Sequence, residues 1–271
     1  MFEVLKRLRR PAPAEAPARI ARVPEGERIY AVGDIHGRLD LLDDLLARID
    51  ADDAARPAAK TTLILLGDLV DRGLDSAGVV ERACHLAAAG DRFHAIKGNH
   101  EELMLDAHDG DEVKLRIFLR AGGIQTLESY GVDLRDLPEG REPEALIERM
   151  RAAIPPTHVA FLRAMADKVL IGDYLFVHAG IRPGVPIDDQ VVEEMRWIRD
   201  PFLDYRGDHG VVVVHGHSIF EQPALRPNRL GIDTGAYFSG VLTAIGLEGE
   251  ERWLLQTEAS NREPAEEVAP A

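Results

Sequence analysis

Short apolar runs alternate with longer segments of helical periodicity along most of this chain. "IYAV", "LILL", "FHAI", "YLFV" and "VVVV" are too short for helices and rich in β-branched or aromatic residues, so they predict strands. "RLDLLDDLLARID" places Leu39, Leu42, Leu45, Leu46 and Ile49 at helical spacing, with acidic residues on the opposite face, and predicts an amphipathic helix. "DSAGVVERACHLAAAG" predicts a second helix, starting near Asp75 or Ser76 as N-cap and stopping at Gly90, with Cys84 as a small core residue. From Glu101 to about Lys168 the pattern is mostly helical, broken by "AGGIQTLESYGVDL" and by Pro155 and Pro156. The remainder turns strand-like through "NRLGIDTG", "VLTAIGLEG" and "RWLLQTE". Such alternation, without repeats or an internal linker, predicts a layered α/β or α+β domain.

The C-terminal ends of the apolar runs share a chemical theme. "IYAVGDIHG" ends at Asp34 and His36, "LILLGDLVDRG" at Asp68, Asp71 and Arg72, and "FHAIKGNHE" at Asn99 and His100. "YLFVHAG" ends at His178, and "VVVVHGHS" at His215 and His217. Side by side in one sheet, these strands would deliver their C-terminal ends to one edge, where α/β folds place ligands. Carboxylate, imidazole and amide groups suit divalent transition ions, and the glycines that bracket nearly every cluster allow close approach. Asp34, His36, Asp68, Asn99, His178 and one of the last two histidines are too many donors for one tetrahedral ion. Two ions sharing a carboxylate fit better, with Asp68 as the natural bridge.

Composition narrows the class. With 271 residues, 45% of them hydrophobic and 29% charged, the chain can bury one large core. A formal net charge of -15 disfavours nucleic-acid binding, which depends on Lys and Arg displacing counterions. A single cysteine rules out an internal disulfide framework and suits a reducing cytoplasm. No apolar run approaches the length of a membrane span. Residues 1–27 read as a flexible, Pro- and Ala-rich arm without the apolar stretch of a secretory signal, residues 28–256 as the domain, and residues 257–271 as an acidic tail. Six residues on from Cys84 is Gly90, so a thiol phosphatase cradle is missing, and no P-loop is present. "GHSIF" lacks the final glycine of a nucleophile elbow.

The ordered set GDIHG, GDLVDRG, GNHE, HAG, GHS resembles the phosphoprotein phosphatase family of binuclear metallophosphoesterases, over about Arg28 to Glu250. "AGGIQTLESYG" and "IDTGAYFSGVLTA" are similar to segments of bacterial members. The resemblance implies a β-sandwich flanked by helices in four layers. It implies Asp34 and His36 on one divalent ion, Asn99, His178 and His217 on a second, and Asp68 between them, with Mn favoured over Fe or Zn. His217 is preferred because the family motif is Gly-His followed by a hydroxyl residue, which leaves His215 as a supporting or packing histidine. A water activated between the ions would attack phosphorus in line. Arg72 would clamp the phosphoryl oxygens, and His100, oriented by Asp71, would protonate the leaving group. Arg199 is the candidate second clamp, with Arg182 and Arg196 as competitors, and Tyr237 either lines the site or packs in the core. Two substrates remain: phosphorylated Ser or Thr in a protein, or a dinucleoside tetraphosphate split symmetrically. The scarcity of aromatics between Glu101 and Lys168 favours the first, because a dinucleotide calls for stacking partners. A catalytically silent binding module is disfavoured by the intact set of chemical groups.

Overall fold

A computed structural model describes residues 20–133 and 143–258. In chain order the strands are β1 (Glu27–Val32), β2 (Lys60–Leu65), β3 (Phe93–Ala95), β4 (Lys168–Ile171), β5 (Tyr174–Val177), β6 (Val212–His215), β7 (Ala224–Leu225), β8 (Arg229–Gly231), β9 (Thr243–Glu248) and β10 (Glu251–Gln256). They form two five-stranded sheets, ordered β10-β9-β1-β2-β3 and β4-β5-β6-β8-β7. The helices are α1 (Leu39–Ala55), α2 (Ser76–Ala89), α3 (Asn99–Asp109), α4 (Glu112–Phe118), α5 (Ile124–Ser129), α6 (Pro143–Ala153), α7 (Pro156–Ala164), α8 (Val192–Trp197) and α9 (Ala236–Ser239).

The period of two along each strand builds the layers. Ile29 and Ala31 of β1, with Tyr174 and Phe176 of β5 and Val212 and Val214 of β6, share the core between the sheets. Tyr30 and Val32 face the opposite way, into the core made with α1, α2 and the helices that follow. Leu175, Val177 and Val213 turn outward to Met195, Ile198 and Phe202. Strands buried on both faces must be apolar throughout, which is why these runs do not alternate with polar residues. The result is the four-layer α/β sandwich that the resemblance implies.

The five strands that carry the polar clusters do not share one sheet. β1, β2 and β3 are parallel neighbours in the first sheet, and β5 and β6 are parallel neighbours in the second. The edges still converge because the sheets pack face to face, so the five C-terminal ends meet across the sandwich.

Local departures from the expected elements have local causes. α1 runs on to Ala55 and stops where Arg56, which precedes Pro57, turns extended. α2 begins and ends as predicted: the Asp75 carboxylate accepts from Gly78 N at 2.8 Å, and Gly90 follows its last turn. "AGGIQTLESYGVDL" breaks the helical run at Gly122, with φ 114°, after which Ile124 starts a short helix that ends at Ser129, two residues before Gly131 at φ 82°. α8 adds a helix within the region read as strand-like. The arm is shorter than expected, since Ala21 and Val23 are buried in the inter-sheet core and Val23 N donates to Gly249 O at 2.9 Å. At the other end Thr257 is buried, and its hydroxyl accepts from Leu242 N at 2.9 Å. Residues 1–19 of the expected arm and 259–271 of the expected tail lie outside the described residues. No described helix is long and apolar enough to cross a membrane.

Candidate metal centre and active site

Five non-glycine residues hold a positive φ among the described residues: His36 (47°), Asp68 (48°), Asp71 (75°), Arg72 (69°) and His217 (61°). All five are site residues predicted from the sequence. Left-handed backbone is costly for side chains such as these, and it persists only where the surroundings enforce it. Two of these loops are laced together through the backbone. Ile35 N and His36 N donate to Asp68 O at 3.1 and 2.8 Å, and Gly73 N donates to His36 O at 3.0 Å. Two glycines let side chains close in: a Cβ on Gly98 would lie 2.1 Å from Asp68 Oδ1, and one on Gly216 would lie 2.0 Å from Asp34 Oδ1.

The donor atoms converge on Asp68. His36 Nε2 lies 3.6 Å from Asp68 Oδ2, and His178 Nε2 lies 3.4 Å from Asp68 Oδ1. Two groups of potential ligands share this carboxylate, one with His36 and His100, the other with His178 and His217. The other nitrogen of each ring fixes its tautomer. His36 Nδ1 donates to Val70 O at 2.8 Å and His178 Nδ1 to Leu66 O at 2.9 Å, which aims the Nε2 lone pairs inward. His178 Nε2 then faces Asn99 Oδ1 at 3.0 Å, so lone pairs of Asn99, His178 and Asp68 point at one another. A cation satisfies that arrangement. His217 Nε2 is buried without a protein partner, a further donor of the same kind. Asp34 lines the same cavity but belongs to neither tight group, and its two oxygens accept from His217 N at 3.2 and 3.0 Å.

Protonation states agree with this donor set at His36, His217 and Asp68; at His178 burial lowers the pKa, but Asp68 outweighs it and raises the ring above its ordinary value, a proton that ligation would displace. Burial, with Arg72 and His100 nearby, holds His36 well below the ordinary histidine value. Burial and His178 hold His217 down at about 3. Burial pushes Asp68 upward, but the charges of His178 and His100 prevail and keep it well below the usual carboxylate range. Neutral imidazoles and an ionised carboxylate are the forms that ligate metals. Asp34 stands well above its ordinary value through burial and the carboxylates of Asp233 and Asp68, a concentration of negative charge that dications would offset.

Beside the donors sits a second group. His100 Nδ1 donates to Asp71 Oδ2 at 2.6 Å, and His100 Nε2 accepts from Arg72 Nη2 at 3.2 Å. Burial lowers the His100 pKa, but Asp68 and Asp71 outweigh it and raise the ring above its ordinary value. Asp71 does not pair with Arg72. Its Oδ1 accepts from Thr126 Oγ1 at 2.7 Å, and its backbone N donates to Thr126 Oγ1 and Ser76 Oγ at 2.8 and 3.0 Å. Arg72 instead lies over the Tyr237 ring at 4.6 Å, and that ring meets His36 edge-on at 5.5 Å.

The competing arginines separate clearly. Arg196 is held by Glu102 at 2.6 Å and Asp167 at 2.5 Å, and Arg182 pairs with Glu194. Arg199 lines the cavity with Arg72 and has no carboxylate within 4 Å among the described residues. His215 offers no free nitrogen: Nδ1 donates to Gly216 O at 3.0 Å and Nε2 accepts from Arg229 at 3.3 Å. Its ring packs on Phe202 at 5.0 Å.

Sequence reasoning missed three supports. Glu101 is fully buried and accepts from the backbone N–H groups of Asp68 (3.0 Å), Leu69 (2.7 Å), Val70 (3.3 Å) and Gly98 (2.8 Å). Its place at the third position of α3, reaching back to Gly98 N, is the glutamate half of a capping box, visible in "GNHE", and Gly98 has no side chain to supply the other half. Thr126 and Asp233 carry no comparable local mark. Glu101→Gln would turn an amide NH2 toward these donors. The variant is expected to lose about 1–3 kcal/mol of stability, read as a lower midpoint in urea unfolding with an unchanged slope.

Comparison with known proteins gives the same picture. A family model for calcineurin-like phosphoesterases matches residues 27–240. A symmetrical bis(5'-nucleosyl)-tetraphosphatase of Delftia acidovorans is 43% identical over 82 residues, which cover 30% of this chain and 26% of that protein. Another, of Paracidovorax citrulli, is 26% identical over 263 residues and covers 80% of this chain and 91% of its own. A solved structure described as a candidate diadenosine tetraphosphatase superposes with a TM-score of 0.62 at 21% identity, covering 87% of this chain and 98% of its own.

Proposed function

The chain belongs to the calcineurin-like phosphoesterase family, and from that premise we propose that it is a metal-dependent hydrolase of dinucleoside tetraphosphates that cleaves them symmetrically. The observation that carries the substrate is the relation to a symmetrical bis(5'-nucleosyl)-tetraphosphatase along 91% of that protein's length. The sequence alone favours a phosphorylated Ser or Thr, on the scarcity of aromatics between Glu101 and Lys168. The relevant aromatics lie elsewhere. Those nearest the donors, Trp197 and Tyr237, come from outside that segment.

Two divalent ions, with Mn the first candidate, would be held by Asp34, His36, Asp68, Asn99, His178 and His217, and would supply Lewis acidity and an activated water for in-line attack on phosphorus. Arg72 and Arg199 project into the cavity and would bind the non-bridging oxygens, Arg72 by a two-pronged contact. When Arg72 engages those oxygens, its hydrogen bond to His100 Nε2 gives way. His100 then carries a proton on Nε2 for the departing oxygen, while Asp71 fixes the ring from the other side. Apart from Arg199, which follows α8, these roles fall to side chains in the segments that leave the strand ends, where backbone contacts limit drift.

The test is a rate comparison with Mn present, using diadenosine tetraphosphate and a phosphothreonine peptide. The expected kcat/KM is at least tenfold higher for the dinucleotide, with ADP as the only nucleotide product. A faster peptide reaction, or ATP plus AMP as products, would overturn the assignment.

A further inference from the structure

The cavity around the donors is about 200 Å³, below the roughly 300–1,000 Å³ of pockets that enclose whole ligands. It suits phosphoryl groups, so the nucleosides of a dinucleotide must lie outside it. Among the described residues ten large hydrophobic side chains are exposed, and four of them line this site or follow one of its residues by one or two positions. Ile117 lines the cavity, Leu74 stands two residues after Arg72, Ile219 two residues after His217, and Phe238 next to Tyr237.

Phe238 is the one aromatic among the four. The residue is 53% exposed, and its ring packs nearly perpendicular to that of Tyr237, with centroids 5.0 Å apart and planes at 76°. A Cβ on Gly235 would lie 2.3 Å from Phe238 Cε1 and 3.2 Å from Ile219 Cγ2, so both side chains close over the same bare backbone. Tyr237 continues inward to His36, 5.5 Å away. An aromatic face is thus held two ring steps from the donor cluster, the kind of reach that one phosphate and one ribose span between an attacked phosphorus and its base.

We propose that Phe238, backed by Tyr237 and flanked by Ile219, is the stacking platform for a nucleobase of the substrate, a specificity-determining residue for a reaction whose chemistry happens deeper in the cavity. The inference rests on the dinucleotide reading above. A flat π face takes any base without hydrogen-bond readout, which predicts tolerance of adenine and guanine alike. A hydrophobic peptide side chain is the competing occupant. The small cavity beside an aromatic favours the base, because a peptide gains more from an open apolar groove than from one ring.

Steady-state kinetics of Phe238→Ala and Phe238→Trp with diadenosine tetraphosphate, p-nitrophenyl phosphate and a phosphothreonine peptide test it. Alanine is expected to raise KM for the dinucleotide about 5- to 100-fold, with a much smaller change in kcat. The ratio of kcat/KM for the dinucleotide over p-nitrophenyl phosphate falls by a similar factor, and Trp restores it. Ile219→Ser, at a second exposed position, should lower the same ratio more weakly, and unfolding midpoints of all three variants show that each is folded. An unchanged dinucleotide KM in Phe238→Ala, with the wild type active on that substrate, refutes the platform and leaves the substrate assignment standing. A wild type inactive on the dinucleotide sinks both. A KM rise confined to a phosphothreonine peptide refutes the platform in favour of peptide docking.

Discussion

Replacing His100 with Asn is expected to lower kcat for p-nitrophenyl phosphate about a hundredfold to ten-thousandfold, the usual worth of a positioned proton donor. KM should move far less, because Arg72 and Arg199 still meet the phosphoryl oxygens. The fold should survive. Asp71, the partner of His100 Nδ1 at 2.6 Å, keeps its hydrogen bond from Thr126 Oγ1 at 2.7 Å, and the asparagine amide can donate in place of the ring. Michaelis parameters together with a thermal melt separate the two effects. A kcat within tenfold of the wild type would remove His100 from the chemistry and leave Asp71 with a purely structural part.

Asp68→Asn is the more drastic change. Asparagine tolerates left-handed backbone, so the φ of 48° at this position is retained and only the charge is lost. The backbone contact from His100 N, 3.1 Å from Asp68 Oδ1, can still be made to the amide oxygen. The two ligand groups would then share a neutral oxygen in place of a carboxylate. Elemental analysis is expected to show bound metal falling from about two ions per chain to one or none, and turnover to fall below detection, with circular dichroism unchanged. Retention of full metal content would take Asp68 out of the bridging position.

These two residues also show how much of the site is legible in the chain alone. Asp68 and His100 stand directly after apolar runs, and a strand that ends in charge bracketed by glycine is a local pattern. Local patterns survive into the fold because β2 and β3 form where their side chains demand it. The partition of the five strands between two sheets was not legible. It depends on Tyr174, Phe176, Val212 and Val214 burying against Ile29 and Ala31, a match between residues more than a hundred positions apart. Thr126 was hidden for the same reason: its bond to Asp71 joins residues 55 positions apart, across a stretch that the kink at Gly122 does break. Glu101 was legible in principle. A buried glutamate at the third position of a helix, accepting four backbone N–H groups, follows from "GNHE" once the capping box is sought there. The dinucleotide that the relatives favour was not legible because the count of aromatics over the helical segment leaves out Trp197, at the end of α8, and Tyr237, in α9.

Every catalytic role assigned to these residues depends on cations being held between the strand ends. Metal content measured on the purified, active protein, before and after exhaustive dialysis against a chelator, tests that directly. The expected result is close to two divalent ions per chain, activity lost as they are removed, and activity regained on adding Mn alone. Full turnover from protein stripped of metal would contradict it.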